Sequence, residues 1–509
     1  MSVTGSRPVN AMNLIDQEIK TLEDRILLLR TARNRLAPVS RIPMELFSEI
    51  FLLARDNSEK PSGRMVLTIS WVCRSWQDMA LGVPQLWSRI DFTQYDWVQA
   101  FLDRSATAKL IVLANAETTN PAIEQFLQHL PRIRDLTLHV PTNSGGGGRL
   151  LSSDRWTTPA LNLQSLVLAN VVLRADLFSG ECLALRTLAL YNCDLSWTVV
   201  GSFSHLTYLC ITHTHYATLL EVVEILRSLP QLERLEFDNA LEDEPLEDNS
   251  FQPARLSKLT SLSIKNERPA MVAALLKSLV IPETAIMSFE ELDLEIDTNP
   301  VDLIESINSC RTAGLRHLFD LHLQISPRHF SITISEVFSE TEHSDGELQE
   351  TIISFRMALI EHEVLEALLG VLQTLRLTHL GYLDISIEDM VPPRFLWSHA
   401  FGPLTGLHSL TVRSACAKSF IDHLSAESLE IMAEDSRIPK TFPALHTLLI
   451  EGLDHVPPFT DLGRLERALG PRGRFPNRLP ELIIVGPPLP DDVTGRFRFV
   501  VEKVTTQNG

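Results

Sequence analysis

The sharpest cluster of chemistry-bearing residues in this 509-residue chain is Cys210, His213 and His215. A thiolate and two imidazoles so close together offer three of the four ligands that a zinc ion takes. They follow an apolar run, TYLCIT, and so belong to the end of one strand and the turn beyond it. No fourth ligand stands near them, and they read as a polar strand end rather than a metal centre. His322, His408 and His446 recur at matching places in other apolar runs and read as sheet-face residues. No GxSxG, HExxH, GxxxxGK[ST], or GxGxxG with a downstream acid occurs, and the glycine run at 145–148 lacks the Lys-Ser/Thr of a phosphate cradle. The expectation is a protein without catalysis, metal or cofactor.

Composition narrows the remaining classes. The formal charge is −19, from 45 Lys and Arg against 64 Asp and Glu, which repels nucleic acid and anionic membrane alike. Six scattered cysteines without a CxxC pair fit a reducing compartment. The amino terminus lacks the apolar core of a signal peptide, and no run of 18 apolar residues occurs. These features predict a soluble intracellular protein, cytoplasmic or nuclear, that acts by holding other proteins.

The elements that would present such contacts are marked by leucine. The pattern L-x-x-L-x-L/I recurs at Leu163/Leu166/Leu168, Leu185/Leu188/Leu190, Leu206/Leu209/Ile211, Leu232/Leu235/Phe237 and Leu259/Leu262/Ile264. It continues at Phe289/Leu292/Leu294, Leu318/Leu321/Leu323, Leu372/Leu375/Leu377, Leu407/Leu410/Val412, Leu445/Leu448/Ile450 and Leu479/Leu482/Ile484. From Leu166 to Leu321 the middle leucines lie 21 to 30 residues apart, and Cys193 stands where such repeats place Asn or Cys; the pattern resembles leucine-rich repeats. Each alternation reads as a strand, and the segments 121–130, 219–229, 269–280, 301–310, 362–372 and 462–469 carry helical spacing. A strand and a helix repeated in register stack into a curved α/β solenoid with a parallel concave sheet.

Residues between the leucines would face away from that core. At the centre they are Arg234, Glu236 and Asp238, then Lys265, then Glu291, Asp293, Glu295 and Asp297, then Asp320. Earlier strands offer Thr187, Tyr191, Tyr208 and Thr212, and later ones Arg376 and Arg413. The expected substrate-binding residues are Glu236, Asp238, Glu291, Asp293, Glu295 and Asp320, gripping a basic or mixed-charge segment of an unknown protein. Three stretches interrupt the pattern: a glycine loop at 141–154, an acidic loop at 238–248, and an irregular insertion near 330–355, read as hairpin-like with a disordered tip. Residues 501–509 read as a flexible tail.

The stretch 41–91 has a different texture. Pro43 suits the start of a helix in which Ile42, Leu46, Ile50 and Leu53 form one apolar stripe, with Phe47, Phe51 and Ala54 beside it. A helix apolar on two faces needs two neighbours. Val72, Trp76, Met79 and Ala80 share a face of a second helix, Trp71 and Cys73 flank it, and Leu86 and Trp87 close a third segment. So small a unit is marginal without a partner.

The order Ile-Pro-x-Glu-Leu-x-x-x-Ile-Phe, Val-Cys-Arg-x-Trp, Leu-Trp resembles the F-box of large fungal protein families, with Ile42 where leucine is more usual and a polar insert, RDNSEKPSGR. The resemblance implies a Skp-type adaptor as partner and, through it, a cullin–RING ubiquitin ligase. It places Ile42, Pro43, Leu46, Ile50, Phe51, Val72, Cys73, Trp76, Leu86 and Trp87 in the adaptor face and its support. Residues 13–36 precede this unit as a helix whose Ile19, Leu22, Ile26, Leu29 and Leu36 step by threes and fours, with Arg33 interrupting. That seam suits either a dimer zipper or a helix folded back on its neighbour.

The sequence thus predicts an α/β protein: a helix at 1–37 able to form a short coiled coil, an F-box-like module at 38–92, a leucine-rich solenoid at 93–500, and the tail. The expected function is substrate recognition for an SCF-type ligase. The alternative is a scaffold in which the F-box-like helices only cap the solenoid.

Overall fold

A computed structural model of the chain describes residues 7–57, 62–92, 95–114, 127–140, 154–172, 176–194, 197–213, 217–242, 252–292, 300–312, 318–326, 329–338, 349–358, 364–375, 377–388, 392, 396–402, 404–434, 441–453, 459–471 and 478–507. They fall into two compact units, Met1–Val172 with Asp176–Leu185, and Leu173–Ala175 with Arg186–Gly509. Among the described residues no helix is long and apolar enough to cross a membrane.

The first unit opens with α1 (Arg7–Arg35), α2 (Met44–Asp56), α3 (Ser62–Ser70) and α4 (Arg74–Leu81), then a one-turn 3-10 helix, Pro84–Trp87. β1 (Arg89–Asp91), α5 (Tyr95–Arg104), β2 (Leu110–Ala114), β3 (Ile133–His139) and β4 (Ser165–Ala169) follow. The four strands pair in chain order, all parallel. Their inward residues, among them Ile90, Val112, Leu136 and Leu166, are buried at every second position.

The second unit is built on β5 (Thr187–Tyr191), β6 (Tyr208–Thr212), β7 (Arg234–Asp238), β8 (Ser261–Lys265), β9 (Ile286–Leu292), β10 (Leu318–Ser326), β11 (His329–Phe338), β12 (Gln349–Ala358), β13 (Tyr382–Ile387), β14 (Ser409–Ser414), β15 (Thr447–Glu451), β16 (Leu479–Val485) and β17 (Val501–Gln507). β5 to β9 pair in order and parallel, as do β13 to β17. Between these runs the order is β9, β12, β11, β10, β13. Only β11 runs against the rest. β10 leaves a gap beside β9, and the hairpin of β11 and β12 fills it.

The apolar alternation is observed where the leucines predict it: Leu188 and Leu190, Leu209 and Ile211, Leu235 and Phe237, Leu262 and Ile264, Leu321 and Leu323, Leu410 and Val412, Leu448 and Ile450, Leu482 and Ile484 are all buried. Helices at Leu219–Arg227, Pro269–Lys277, Pro300–Cys310, Val364–Thr374, Ala415–Glu434 and Thr460–Leu469 separate the strands. The first has a capping box, in which Thr218 Oγ1 accepts from the Glu221 amide and Glu221 Oε2 accepts from the Thr218 amide.

One backbone device recurs after the strands. Asn170, Asn192, His213, Asn239 and Asn266, each the residue after its strand, have φ of 59°, 50°, 47°, 48° and 52°. Asparagine and histidine tolerate this left-handed region better than most residues. The amides of Asn192, His213, Asn239 and Asn266 each donate to a carbonyl of the next strand or its end, at 2.7, 2.8, 3.1 and 3.2 Å. The chain thus leaves each strand at the same angle, which keeps successive strands in register.

Two expectations are corrected and two are refined. The Leu372/Leu375/Leu377 pattern is no strand; Leu368, Val371, Leu372 and Leu375 are buried at helical spacing on Val364–Thr374 and just past it, and the strand is Tyr382–Ile387. In β9 Phe289 and Leu292 are buried as expected, Met287 is buried with them, a register shift lies between Phe289 and Leu292, and Leu294 lies outside the described residues. The hairpin expected near 330–355 is observed as β11 and β12, and it is part of the main sheet, since each strand pairs with a neighbour on either side. Residues 501–507 are not a loose tail, since β17 pairs with β16 and buries Val501. The glycine loop at 141–153, most of the acidic loop (243–251) and the hairpin tip (339–348) lie outside the described residues.

Candidate functional site

The helical part of the first unit is held by three aromatic rings. Phe47 and Phe51 on α2 lie with ring centroids 5.5 Å apart, and Trp76 on α4 meets them at 5.5 and 5.1 Å. Pro43 stands at the N-cap position of α2, where its missing N–H costs nothing, and Glu45 and Arg55 complement the helix dipole at its two ends. Arg55 is buried and turns inward: Nη1 donates to the Gln85 carbonyl at 2.5 Å and Nε to Asp56 Oδ1 at 2.8 Å. This ties the end of α2 to the turn that carries Leu86 and Trp87.

That turn is core. Trp87 is fully buried, with its Nε1 donating to the Ala80 carbonyl at 2.7 Å, Phe101 5.0 Å away and the Arg104 guanidinium 4.4 Å over its ring. Of the residues that the resemblance assigned to an adaptor face and its support, Phe51, Leu86 and Trp87 are therefore buried. Ile42, Cys73 and Trp76 are half-buried. Leu46, Ile50 and Val72 stand out, 49%, 44% and 55% exposed, and Pro43 is exposed beside them in sequence. Leu53 and Trp71, which the assignment left out, are more exposed still. The first apolar stripe of α2 is thus bare and the second is covered by Trp76. Among the described residues only one of the two neighbours that the doubled stripe demands is present.

On the sheet of the second unit, Glu236 and Asp238 lie half-buried on the face away from the leucines, as expected. They are not bare carboxylates. Arg234 reaches Glu236 at 3.3 Å and lies 4.6 Å over the ring of Tyr208, while Asn266 Nδ2 donates to Asp238 Oδ1 at 2.7 Å. Glu290 stands opposite Lys265 in the strand pairing and forms an ion pair with it on this face at 2.6 Å. That contact lowers the carboxyl pKa of Glu290 and raises the pKa of Lys265. The side chain of Glu291, and Asp293, Glu295, Asp297 and Arg376 altogether, lie outside the described residues.

His213 is the left-handed residue after β6, with Nδ1 3.1 Å from Asn239 Nδ2. Cys210 is buried, its Sγ 3.9 Å from the Tyr191 hydroxyl, and burial pushes its thiol pKa up; the same burial holds the Tyr191 phenol at about 12. His215 lies outside the described residues, and among these no group of three His, Cys, Asp or Glu is placed to hold a metal ion.

This face carries a cleft of about 370 Å³ over β10, β11, β13, β14 and β15. Arg413 organises it. Its Nε and Nη2 donate to the two oxygens of Asp384 at 3.1 and 3.2 Å, and Nη1 donates to Glu451 Oε2 at 3.1 Å. His322 Nδ1 lies 3.5 Å from Asp384 Oδ2, and Tyr382, its ring tilted 49° to that of His322 at 5.1 Å, has its hydroxyl 3.2 Å from Thr411 Oγ1. Burial alone would raise the Asp384 pKa, but hydrogen bonds from His322 and Arg413 outweigh it and hold the carboxyl below its ordinary value. Burial raises the Tyr382 phenol. Gln324, Ser331, Thr333, Ser386 and Glu388 complete the lining.

His322 and Asp384 are the base and orienter of a nucleophilic triad in type. Among the described residues no hydroxyl or thiol hydrogen-bonds to His322. Asp320 is half-buried on the same strand as His322, as expected. Asp384 and Glu388 escaped sequence reasoning because the leucines at 372–377 outweighed the period-2 run YLDISI, which was the available signal. No protein-family model matches this chain, and no curated protein does.

Proposed function

We propose that the chain is the substrate-recognition subunit of an SCF-type ubiquitin ligase. The unit formed by α2, α3 and α4 acts as the F-box-like module that binds a Skp-type adaptor. The repeated strands act as a leucine-rich array whose open face holds a target protein. The observation that carries the reading is the division of α2 into a covered stripe, Phe47 and Phe51, and a bare one, Leu46, Ile50 and Leu53. Desolvated aliphatic and aromatic anchors are what dominate protein interfaces.

On this reading the protein does no bond-making itself. It raises the concentration of a target beside a ubiquitin-loaded enzyme on the cullin scaffold. The target segment is polar or basic, because the cleft lining carries Asp384, Glu388 and Glu451 while the guanidinium of Arg413 is already spent on two of them. Capture of purified Skp-type adaptor by the full chain tests the proposal. Wild-type capture that is lost in Leu46→Asp supports it; no wild-type capture leaves the scaffold reading, in which the helices only cap the strand array.

A further inference from the structure

From Met12 to Arg30 every residue of α1 is exposed, so the helix does not fold back on its neighbour. Its apolar residues are nevertheless ordered. Met12, Ile15, Ile19, Leu22, Ile26 and Leu29 follow one another at steps of three and four, the seam of a two-stranded coiled coil, and each is about half exposed or more. A bare seam of this length on a helix of 29 residues is stable only when covered.

We propose that a second copy of this chain covers it, with the two α1 helices antiparallel. Stacking Met12 on Leu29, Ile15 on Ile26 and Ile19 on Leu22 of the other copy makes six apolar layers, since each pair occurs twice by symmetry. Arg33, the one charged seam residue, then falls past the last layer.

Direction is decided by the charges beside the seam. Asp16, Glu18 and Glu23 precede Arg25 and Arg30, so acid and base are segregated along the helix. A parallel pair sets Glu18 against Glu23 and Arg25 against Arg30, like on like at every contact. The antiparallel pair sets Glu18 against Arg25 at both ends, and only Asp16 against Glu23 repels. Isoleucine at 19 and 26 with leucine at 22 and 29 suits two strands in parallel, but it does not remove four repulsions. The segregation also suits the helix's own dipole; it is the uncovered seam that calls for a partner.

The inference is independent of the ligase reading, and sedimentation of the full chain over roughly 1 to 100 µM tests it. The expected result is a dimer at the upper concentrations that dissociates on dilution. Ile19→Asp with Ile26→Asp yields monomer that melts as the dilute wild-type chain does, because both side chains lie outside any core of the single chain. Glu18→Arg separates the two directions: it weakens the antiparallel dimer roughly tenfold and would tighten a parallel one. A wild-type chain that is monomeric throughout, a dimer that survives the double substitution, or a tighter Glu18→Arg dimer overturns the proposal.

Discussion

The rings of Phe51 and Trp76 meet with centroids 5.1 Å apart, and this contact decides which way α2 faces. With Phe51 turned to α4, its chain neighbour Ile50 points to solvent. Phe51→Ala removes a ring that is 1% exposed and should cost about 3 to 5 kcal/mol of the first unit's stability. Ile50→Asp should change stability by no more than about 0.5 kcal/mol while abolishing adaptor capture. Thermal melting and pull-down of the two variants check both; an Ile50→Asp protein that still binds adaptor removes the bare stripe from the interface.

Trp76 touches both phenylalanines, so Trp76→Ala should loosen the helical unit as well as its surface. Hydrogen exchange should rise in α2 and α4 and stay unchanged in β13 to β17. Uniform protection would place Trp76 outside the helical core.

The left-handed residues predict an asymmetry between glycine and valine. Asn239, at φ 48°, should accept glycine at little cost, whereas Asn239→Val should destabilise the second unit by about 1 to 3 kcal/mol, since a β-branched residue is strained there. Denaturant midpoints of the two variants measure the difference.

Glu267 is buried beyond β8, and its Oε1 accepts from the amides of Ala240 and Leu241. Burial pushes its carboxyl up to about 7 in spite of those amides. The folded state therefore keeps a proton that the unfolded chain releases. Stability should fall as pH rises from about 4.5 to about 7 and level off above. Glu267→Gln keeps an acceptor oxygen and should flatten that slope, with a gain at pH 8 on the order of 2 kcal/mol. A slope that persists in the variant would assign it to another group.

Asp384 behaves in the opposite sense. Its carboxyl is held below the ordinary value, so the stability it contributes is present above pH 4 or so and is lost as pH falls through the folded pKa. Arg413→Leu should cost about 1 to 2 kcal/mol at pH 7, discounted for the partial exposure of Arg413, and less near pH 3. Urea unfolding of the variant at the two pH values checks the direction.

Much of the architecture is legible in the order of residues. The leucine alternation names the inward face of most strands because one strand's pleat repeats every two residues, a local property. The doubled stripe on α2 and the seam on α1 are equally local, since helical spacing alone sets which residues share a face. Tertiary structure decided the rest. Only packing against Trp76 selects which α2 stripe is bare, and only pairing of β12 with β9 reveals that the hairpin belongs to the main sheet. The cleft around Arg413 joins residues from 322 to 451, and no spacing along the chain marks them as neighbours. Strand order across a sheet is set by hydrogen bonds between segments far apart in sequence, which a pattern of single residues does not encode.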